Sequence, residues 1–156
     1  MYGRRIPRYL LSLCHNEYIA EDIMQETFLR AYLYFEDCPA NGIRPWLFRV
    51  AYNAYMDFIR KDRRSFSQDN EFFNNIADNK TTENKVLMQE KLKEINYFID
   101  RLPENQKQAI LLCDFNGLSY KEASEIMNIS LSYFKVLLFR ARQNIRNKVE
   151  RNDIFE

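Results

Sequence analysis

The sequence has few of the residues that form turns and few of those that hold metals or carry out nucleophilic chemistry. Three glycines and four prolines in 156 residues are fewer than an all-β fold normally uses, and they cannot assemble a Gly-rich phosphate-binding loop. A single histidine, His15, leaves no His–His metal motif and no triad with a spare base. These shortages predict an all-α protein that is not an enzyme and that holds no metal or cofactor.

Cysteines and long apolar runs are equally scarce. Cys14, Cys38 and Cys113 are odd in number and far apart, so they match neither a zinc-site spacing nor a disulfide framework. No apolar run approaches the ~20 residues of a membrane-spanning helix, and no signal-peptide core opens the chain. We therefore expect reduced thiols and a cytoplasmic protein.

Charge is nearly balanced overall but is segregated along the chain. Lys and Arg number 23 against 22 Asp and Glu. Residues 65–84 nevertheless carry four acids and one Lys, residues 115–149 carry six bases and two acids, and residues 60–64 carry four bases and one acid. This distribution predicts local anion-binding faces joined by an acidic connector.

Apolar residues recur at helical spacing in two parts of the chain. Between them, residues 65–84 lose this periodicity and contain five Asn. The pattern predicts two small helical domains, 1–64 and 85–150, joined by a flexible linker over 65–84. In the first domain, the expected buried positions are Ile23, Thr27, Ala31 and Tyr34 on one helix and Leu47, Val50, Ala51, Ala54 and Phe58 on the next.

The second domain has the pattern of a helix-turn-helix. Ser119 and Glu122 have the spacing of a capping box, Asn128 suits a left-handed turn, and Ser130 can open a last helix running to about Lys148. On a helical wheel its buried stripe is Phe134, Leu137, Leu138, Ala141 and Ile145. Its other arc carries Ser132, Lys135, Val136, Phe139, Arg140, Arg142, Gln143 and Arg146.

This outer arc has two interpretations. Val136 and Phe139 lie among polar residues, so they are candidates to touch thymine methyls or deoxyribose, with Lys135 and Arg142 on phosphates or purine edges. The alternative is a solvated basic face whose two apolar residues cover a neighbouring helix. The capping box and the turn chemistry favour the DNA-reading interpretation.

Aromatic and basic residues alternate on the helix that begins near Pro45. Rings of this kind stack on unpaired bases while nearby cations follow the phosphates, which indicates single-stranded nucleic acid. For Phe48, Tyr55 and Phe58 the simpler interpretation is a place in the core, whereas Trp46 and Tyr52 fit either role. The loop 38–44 is a candidate frame for an extruded base. The basic and amide positions of this helix are Arg49, Asn53, Arg60, Lys61, Arg63 and Arg64.

A strip of four residues follows one side of the helix over 20–34. Asp22, Gln25, Glu26 and Leu29 fall at i, i+3, i+4 and i+7, a pattern suited to docking on a basic partner helix. A plain solvated face is the competing interpretation. Acid–base catalysis by the two carboxylates is not favoured, because the sequence offers no nucleophile or metal set beside them.

Four collinear blocks cover nearly the whole chain and resemble a known family. They are AEDIMQETFLRAY (20–32), PWLFRVAYNAYMDFIRKDRR (45–64), LPENQKQAILL (102–112) and LSYKEASEIMNIS…FKVLLFRARQNIR (118–146). The chain is similar to the extracytoplasmic-function (ECF) sigma factors, the smallest sigma factors of bacterial RNA polymerase. Within that group it most resembles the sigma-M type of Firmicutes, which serves cell-envelope stress.

The resemblance implies a role for each block. The strip that includes Asp22, Gln25 and Glu26 would dock on the clamp helices of the largest polymerase subunit. Arg49, Asn53 and the run Arg60–Arg64 would melt the minus-ten element and hold its non-template strand, while the loop before Pro45 would capture a flipped base. The residues that would read the minus-thirty-five element are Ser130, Ser132, Tyr133, Lys135 and Arg140.

The same resemblance implies partners and a control arrangement. Core RNA polymerase, through its clamp helices and flap, and promoter DNA are the expected partners, with no small-molecule substrate. A membrane-bound anti-sigma factor would hold the chain at the inner face of the membrane. The linker would thread through the polymerase channel. The first helix is expected to be short or to begin upstream of Met1, because relatives carry several more residues there.

The chain departs from the family pattern at a few positions. The family usually has Ala at the position of Ser124, Gly at Asn128 and Val at Phe134, and it commonly has Ser-Arg where this chain has Val136-Leu137. Two rival functions stay open. A free-standing helix-turn-helix regulator would bind operators without polymerase, and a helical RNA-binding adaptor would use the aromatic-basic helix alone.

Overall fold

The computed structural model describes residues 4–40, 42–65 and 86–155, with side-chain environments for residues 4–40, 42–62 and 93–151. Every regular element in these ranges is a helix, which confirms the all-α prediction. The chain divides into two compact units, Met1–Thr81 and Thr82–Glu156. Apart from Ser65, the predicted linker over 65–84 lies outside the described residues, and the predicted domain boundaries stay predictions.

Over residues 4–40 and 42–65, the first unit has three α-helices and a short 3₁₀ turn. These are α1 (Arg5–Cys14), α2 (Glu17–Leu33), the 3₁₀ turn Phe35–Asp37 and α3 (Ile43–Ser65). His15 adopts a left-handed conformation with φ of 55°, and the Asn16 side chain accepts hydrogen bonds from the backbone N–H groups of Tyr18 and Ile19. A left-handed residue ends one helix and an Asx cap starts the next, so the corner between α1 and α2 is fixed locally.

The core of the first unit forms where the three helices meet. Tyr9 of α1 and Phe48 of α3 are both fully buried and pack edge to face, with ring centroids 5.5 Å apart. Ala51, Ala54 and Tyr55 are buried beside them, as expected for a helix stripe facing the core.

Some of the burial predicted for this unit is wrong. Leu47, Val50 and Phe58 are only half-buried, because Phe48 and Tyr55 supply the deepest contacts of α3 instead. On α2, Ala31 is half-buried and Tyr34 is exposed, since the helix ends at Leu33 before its last turn can reach the core.

The described part of the second unit, residues 86–155, contains four α-helices and one π-helical segment. They are α4 (Val86–Asp100), α5 (Glu104–Ile110), the π-helix Leu111–Phe115, α6 (Tyr120–Met127) and α7 (Leu131–Phe155). The π-helix was not expected, and α7 runs past the predicted end at Lys148. The Asn116 amide donates to the Leu111 carbonyl at 2.7 Å, and Gly117 follows with φ of 69°. These two residues end the π-helix by satisfying one of its carbonyls and reversing the chain.

Candidate nucleic-acid interface

The helix-turn-helix is held by local hydrogen bonds that the sequence predicts, at the start of α6 and at the start of α7. The Ser119 hydroxyl accepts from the Glu122 N–H at 3.0 Å, and the Glu122 carboxylate accepts from the Ser119 N–H at 2.9 Å, so the capping box is confirmed. Asn128 has φ of 57°, which confirms the left-handed turn. The Ser130 hydroxyl accepts from the Tyr133 N–H at 3.1 Å and caps α7.

Helix α7 has a buried side and an exposed side. Phe134, Leu137, Leu138 and Ala141 are buried, while Ile145 is half-buried. The burial of Leu137 places that position inside the unit, so the missing arginine of the family pattern is replaced here by a core contact. The candidate residues on the other side are all exposed: Ser130, Ser132, Tyr133, Lys135, Val136, Phe139, Arg140 and Arg142.

Two apolar residues lie on this exposed side. Val136 is 43% and Phe139 is 63% exposed, so neither is used to cover a neighbouring helix of the unit. Lys135 and Arg140 are exposed beside them. A face with cations around apolar side chains can meet phosphates and thymine methyls together. The geometry therefore favours a DNA-reading surface over a solvated basic face.

Arg142 differs from the other cations of α7. Its Nη2 and Nε atoms donate to Oδ1 and Oδ2 of Asp114 at 2.6 and 3.1 Å, and Nη1 donates to the Tyr120 hydroxyl at 3.4 Å. The hydrogen bonding that Arg142 donates to the Asp114 carboxylate is the main reason that the pKa of Arg142 is raised above its ordinary value. In this structure Arg142 fastens α7 to the π-helix and α6, and its DNA contact stays a prediction.

Helix α3 presents its polar candidates on one side. At 100° per residue, Trp46, Arg49, Asn53 and Arg60 fall within an arc of about 60°. Arg49, Asn53, Arg60 and Lys61 are exposed, and Trp46 is half-buried. A ring and several cations along one arc can stack on a base and follow a single strand. Arg63 and Arg64 belong to the last turn of α3, but their side chains lie outside the described residues.

The strip predicted on α2 is exposed along its whole length. Asp22, Gln25, Glu26 and Leu29 all reach the surface. Glu26 is also an acceptor for Arg30 Nε at 2.9 Å, and Arg30 Nη1 continues to Asp57 of α3 at 2.9 Å. This ion-pair chain borders a cleft of about 210 Å³ between α2 and α3. The strip therefore lies next to α3, which stabilises one side of this surface through the ion pair between Arg30 and Asp57.

A group of exposed apolar residues in the described part of the first unit was not predicted from the sequence. Its members are exposed by half or more and follow the end of α2 into the 3₁₀ turn: Phe28, Leu29, Tyr32, Leu33 and Phe35. Only Leu29 was predicted. The available signal was the i, i+4 pair Phe28 and Tyr32 outside the predicted core stripe. Contiguous apolar surface of this kind typically marks a protein interface.

Other site types find little support in the described part of the chain. Residues 4–40, 42–65 and 86–155 contain no group of three or more His, Cys, Asp or Glu placed to hold a metal ion. Among the helices in these ranges, none combines the length and the apolar character needed to cross a bilayer.

Two family models match the chain, and they fall on different units. The model of Sigma-70 region 2 matches residues 1–65, and the model of Sigma-70 region 4 matches residues 92–145. The first match contains α1 to α3 with the aromatic-basic face, and the second contains the helix-turn-helix.

Solved structures support the fold. The chain is similar to the sigma factor RpoE of Bartonella quintana, solved in complex with the anti-sigma factor NepR, with a TM-score of 0.72 and 21% identity over 93% of this chain and 89% of that one. It is also similar to CnrH, solved with the cytosolic domain of CnrY, with a TM-score of 0.65 and 19% identity over 96% and 83%.

Curated relatives carry the family assignment. The ECF RNA polymerase sigma factor SigM of Bacillus subtilis (strain 168) is 37% identical over 147 residues, covering 94% of this chain and 89% of the relative. The ECF RNA polymerase sigma-E factor of Haemophilus influenzae is 31% identical over 139 residues, covering 83% and 74%. With both regions matched and relatives aligned along most of its length, the chain belongs to the ECF sigma factors of the sigma-70 family.

Proposed function

We propose that this chain directs core RNA polymerase to promoters by using two DNA-binding surfaces, one on each unit. The observation that carries the proposal is the exposed side of α7, where Val136 and Phe139 stand among cations on a helix that the Ser130 hydroxyl caps. These exposed apolar side chains do not contribute to the core of their own unit. It suits the major groove of a duplex, which fits a minus-thirty-five element read by the residues from Ser130 to Arg140.

The second DNA surface is the polar side of α3. Trp46, Arg49 and Asn53 lie along the same arc as Arg60, and further cations follow at Lys61, Arg63 and Arg64. We assign this surface to the non-template strand of the minus-ten element. The ring supplies stacking for an unpaired base, and the cations follow the backbone, so the surface stabilises opened DNA more than duplex DNA.

Docking on core polymerase is assigned to two other surfaces. The strip on α2, with Asp22, Gln25, Glu26 and Leu29, continues into the exposed apolar patch around Tyr32, and this combination suits the clamp helices of the largest subunit. In the second unit, an apolar groove of about 310 Å³ between α4 and α7 suits the flap. Its lining includes Ile95, Ile99, Phe115, Ile145 and Val149.

An anti-sigma factor is the proposed regulator. The two similar solved structures are complexes of sigma factors with NepR and with the cytosolic domain of CnrY, which supports a partner of this class for the present chain. A membrane-bound partner would hold the chain at the inner face of the membrane until a cell-envelope stress releases it. No residue is assigned a catalytic role, because the proposal places the chemistry of transcription in the core enzyme.

Transcription from a linear template tests the proposal against its rivals. We expect promoter-dependent run-off product only when this chain is added to purified core polymerase. Binding of duplex operators without polymerase would favour the regulator, and binding of single-stranded RNA with the α7 surface unused would favour the adaptor. Joining two modest DNA contacts through core polymerase raises the affinity only when both engage together, so DNA binding by the isolated chain should be weak.

A further inference from the structure

Arg44, in the first turn of α3, has an unused pair of hydrogen-bond donors. Its Nε and Nη2 atoms are both shielded from solvent, and neither has an acceptor in the described structure. The side chain as a whole is half-buried. Burying donors of a charged group without an acceptor opposes folding, so this position is one that an incoming acceptor would stabilise.

The unused donors form a fork with a defined shape. Nε and Nη2 lie on one edge of the guanidinium group and present two nearly parallel N–H bonds. Arg142 uses the same two atoms to hold the carboxylate of Asp114 at 3.1 and 2.6 Å. The matching occupant of the Arg44 fork is therefore a pair of anionic oxygens, as found on a phosphate or a carboxylate.

The position of Arg44 favours a phosphate of a nucleic-acid strand. At 100° per residue, its stem leaves α3 on the side of Phe48 and Tyr55, in the first turn of the helix and next to the loop before α3. Tyr9 packs on Phe48 one turn away, which brings α1 close to this end of α3. Residues 4–14 of that helix region contain three arginines and no acid. A polyanion is attracted to such surroundings more strongly than a single carboxylate is.

Acids near Arg44 along the chain do not fill the fork. Glu36 and Asp37, in the 3₁₀ turn ahead of the loop, are exposed, and neither accepts a hydrogen bond from Nε or Nη2. We propose that Arg44 binds a backbone phosphate of the opened non-template strand, next to the base that the loop before α3 receives. This inference rests on the proposed function, and it assigns a phosphate contact to Arg44, which the sequence placed only at the end of the loop expected to frame an extruded base.

The test compares Arg44→Gln, which removes the charge, with Arg44→Lys, which keeps the charge but loses the fork. Each full-length variant is combined with core polymerase, and its affinity for a promoter fragment with a pre-opened bubble is measured over a range of salt concentrations. We expect Arg44→Gln to bind about ten-fold more weakly. Its slope of log K against log salt should be shallower by ~0.7, as for one lost single-strand phosphate contact. Arg44→Lys should lose affinity but keep the wild-type slope.

Lys93→Gln serves as the control, because it removes an exposed charge from the second unit. It should leave both the affinity and the slope unchanged. The thermal midpoint of free Arg44→Gln should equal or exceed that of the wild type, since an unsatisfied buried donor has been removed. A midpoint lowered together with the affinity would make Arg44 a structural anchor and overturn the proposal.

Two further results would contradict the assignment of a phosphate. Unchanged affinity and slope in Arg44→Gln would show that no strand contact exists at this position. Weaker binding of Arg44→Gln to core polymerase without DNA, with the slope unchanged, would identify a protein carboxylate as the acceptor. If the wild-type chain gave core polymerase no added affinity for the bubble, the proposed function itself would fail, and the Arg44 contact with it.

Discussion

Arg142 of α7 and Asp114 of the π-helix form a two-point ion pair, with N···O distances of 2.6 and 3.1 Å. The π-helix shifts the backbone register after Ile110, and Asp114 falls in the shifted segment. Arg142 also reaches the Tyr120 hydroxyl at the start of α6. One guanidinium group thus connects the recognition helix to both elements behind it.

Replacing either partner of this ion pair should lower the stability of the second unit slightly. The two replacements should have opposite effects on DNA affinity, since one removes the guanidinium group and the other frees it. Arg142→Ala and Asp114→Ala should each cost about 1 kcal/mol or less in urea unfolding, because both side chains are partly exposed. If Arg142 also contacts DNA, Asp114→Ala should strengthen binding to the minus-thirty-five element by freeing the guanidinium. Arg140→Ala is the control for stability and should leave the unfolding midpoint unchanged.

Lys135→Ala should weaken binding of the holoenzyme to the minus-thirty-five element. A contact with a base edge would cost ~1–3 kcal/mol and relax the preference at one base position, whereas a phosphate contact would weaken all sequences alike. Competition between promoter fragments with single-base changes distinguishes the two results. Lys93→Ala removes the same charge from α4 and should have little effect. An unaltered affinity in Lys135→Ala would place Lys135 on a merely solvated face.

Replacing Arg60 and Arg64 together with Ala should impair opening of the promoter more than binding of polymerase. The pair lies at the end of α3, where it is proposed to hold the melted strand rather than the core enzyme. Permanganate reactivity of unpaired thymines measures opening, and co-purification with core polymerase measures docking. An equal loss in both measurements would count against the strand-holding role.

Tyr32→Ser with Phe28→Ser should reduce affinity for core polymerase without lowering stability. Tyr32 is 82% and Phe28 is 60% exposed, so their truncation leaves the core of the unit intact. Binding to fluorescently labelled core polymerase, together with thermal unfolding of the free chain, provides the test. Tyr18→Ser is a matched control, because Tyr18 is also highly exposed on α2 but lies three turns ahead of the patch. A large drop in the unfolding midpoint of the double variant would indicate that the patch is structural.

The thiol of Cys113 should react slowly while the second unit is folded. Burial is the main reason that its pKa is raised to about 11, so at pH 8 roughly one part in a thousand is the reactive thiolate. Since the shift is upward, the reaction rate should rise with pH up to about 11. A Cys14→Ser/Cys38→Ser variant isolates the signal from Ellman's reagent, and urea should abolish the protection. Rapid reaction of the folded variant at pH 8 would contradict the predicted protection of the Cys113 thiol.

The local parts of the fold could be predicted from sequence because short-range chemistry decides them. The capping box of Ser119 and Glu122 and the left-handed Asn128 depend on residues within one or two turns. The π-helix could not be predicted, since Asn116 and Arg142 stabilise it from outside its own segment. The surroundings of Glu26 were also only partly predictable. Its side chain fits a docking strip, but it also accepts a hydrogen bond from Arg30, and Arg30 bridges to Asp57 on another helix.

The site was partly predictable for a related reason. Val136 and Phe139 could be singled out from the sequence, because they are apolar residues on the side of the helix that carries cations. The burial of α7 against its own unit does not account for them. The patch around Tyr32 was missed, because the i, i+4 spacing of Phe28 and Tyr32 shows only that they lie off the core stripe, and three-dimensional packing decides whether that side is covered. Arg44 was missed because the missing acceptor becomes apparent only when its surroundings are known.

The recognition helix is fixed from its buried side and from its capped beginning, while Lys135, Val136 and Phe139 face outward. Under the proposed function, exchanging these outward residues would alter which sequences are bound without disturbing the scaffold. Descendants of such a gene could therefore acquire new target sites through a handful of surface replacements, each tolerated as it arises. Duplicated copies could diverge into separate regulators while still sharing one transcription machine.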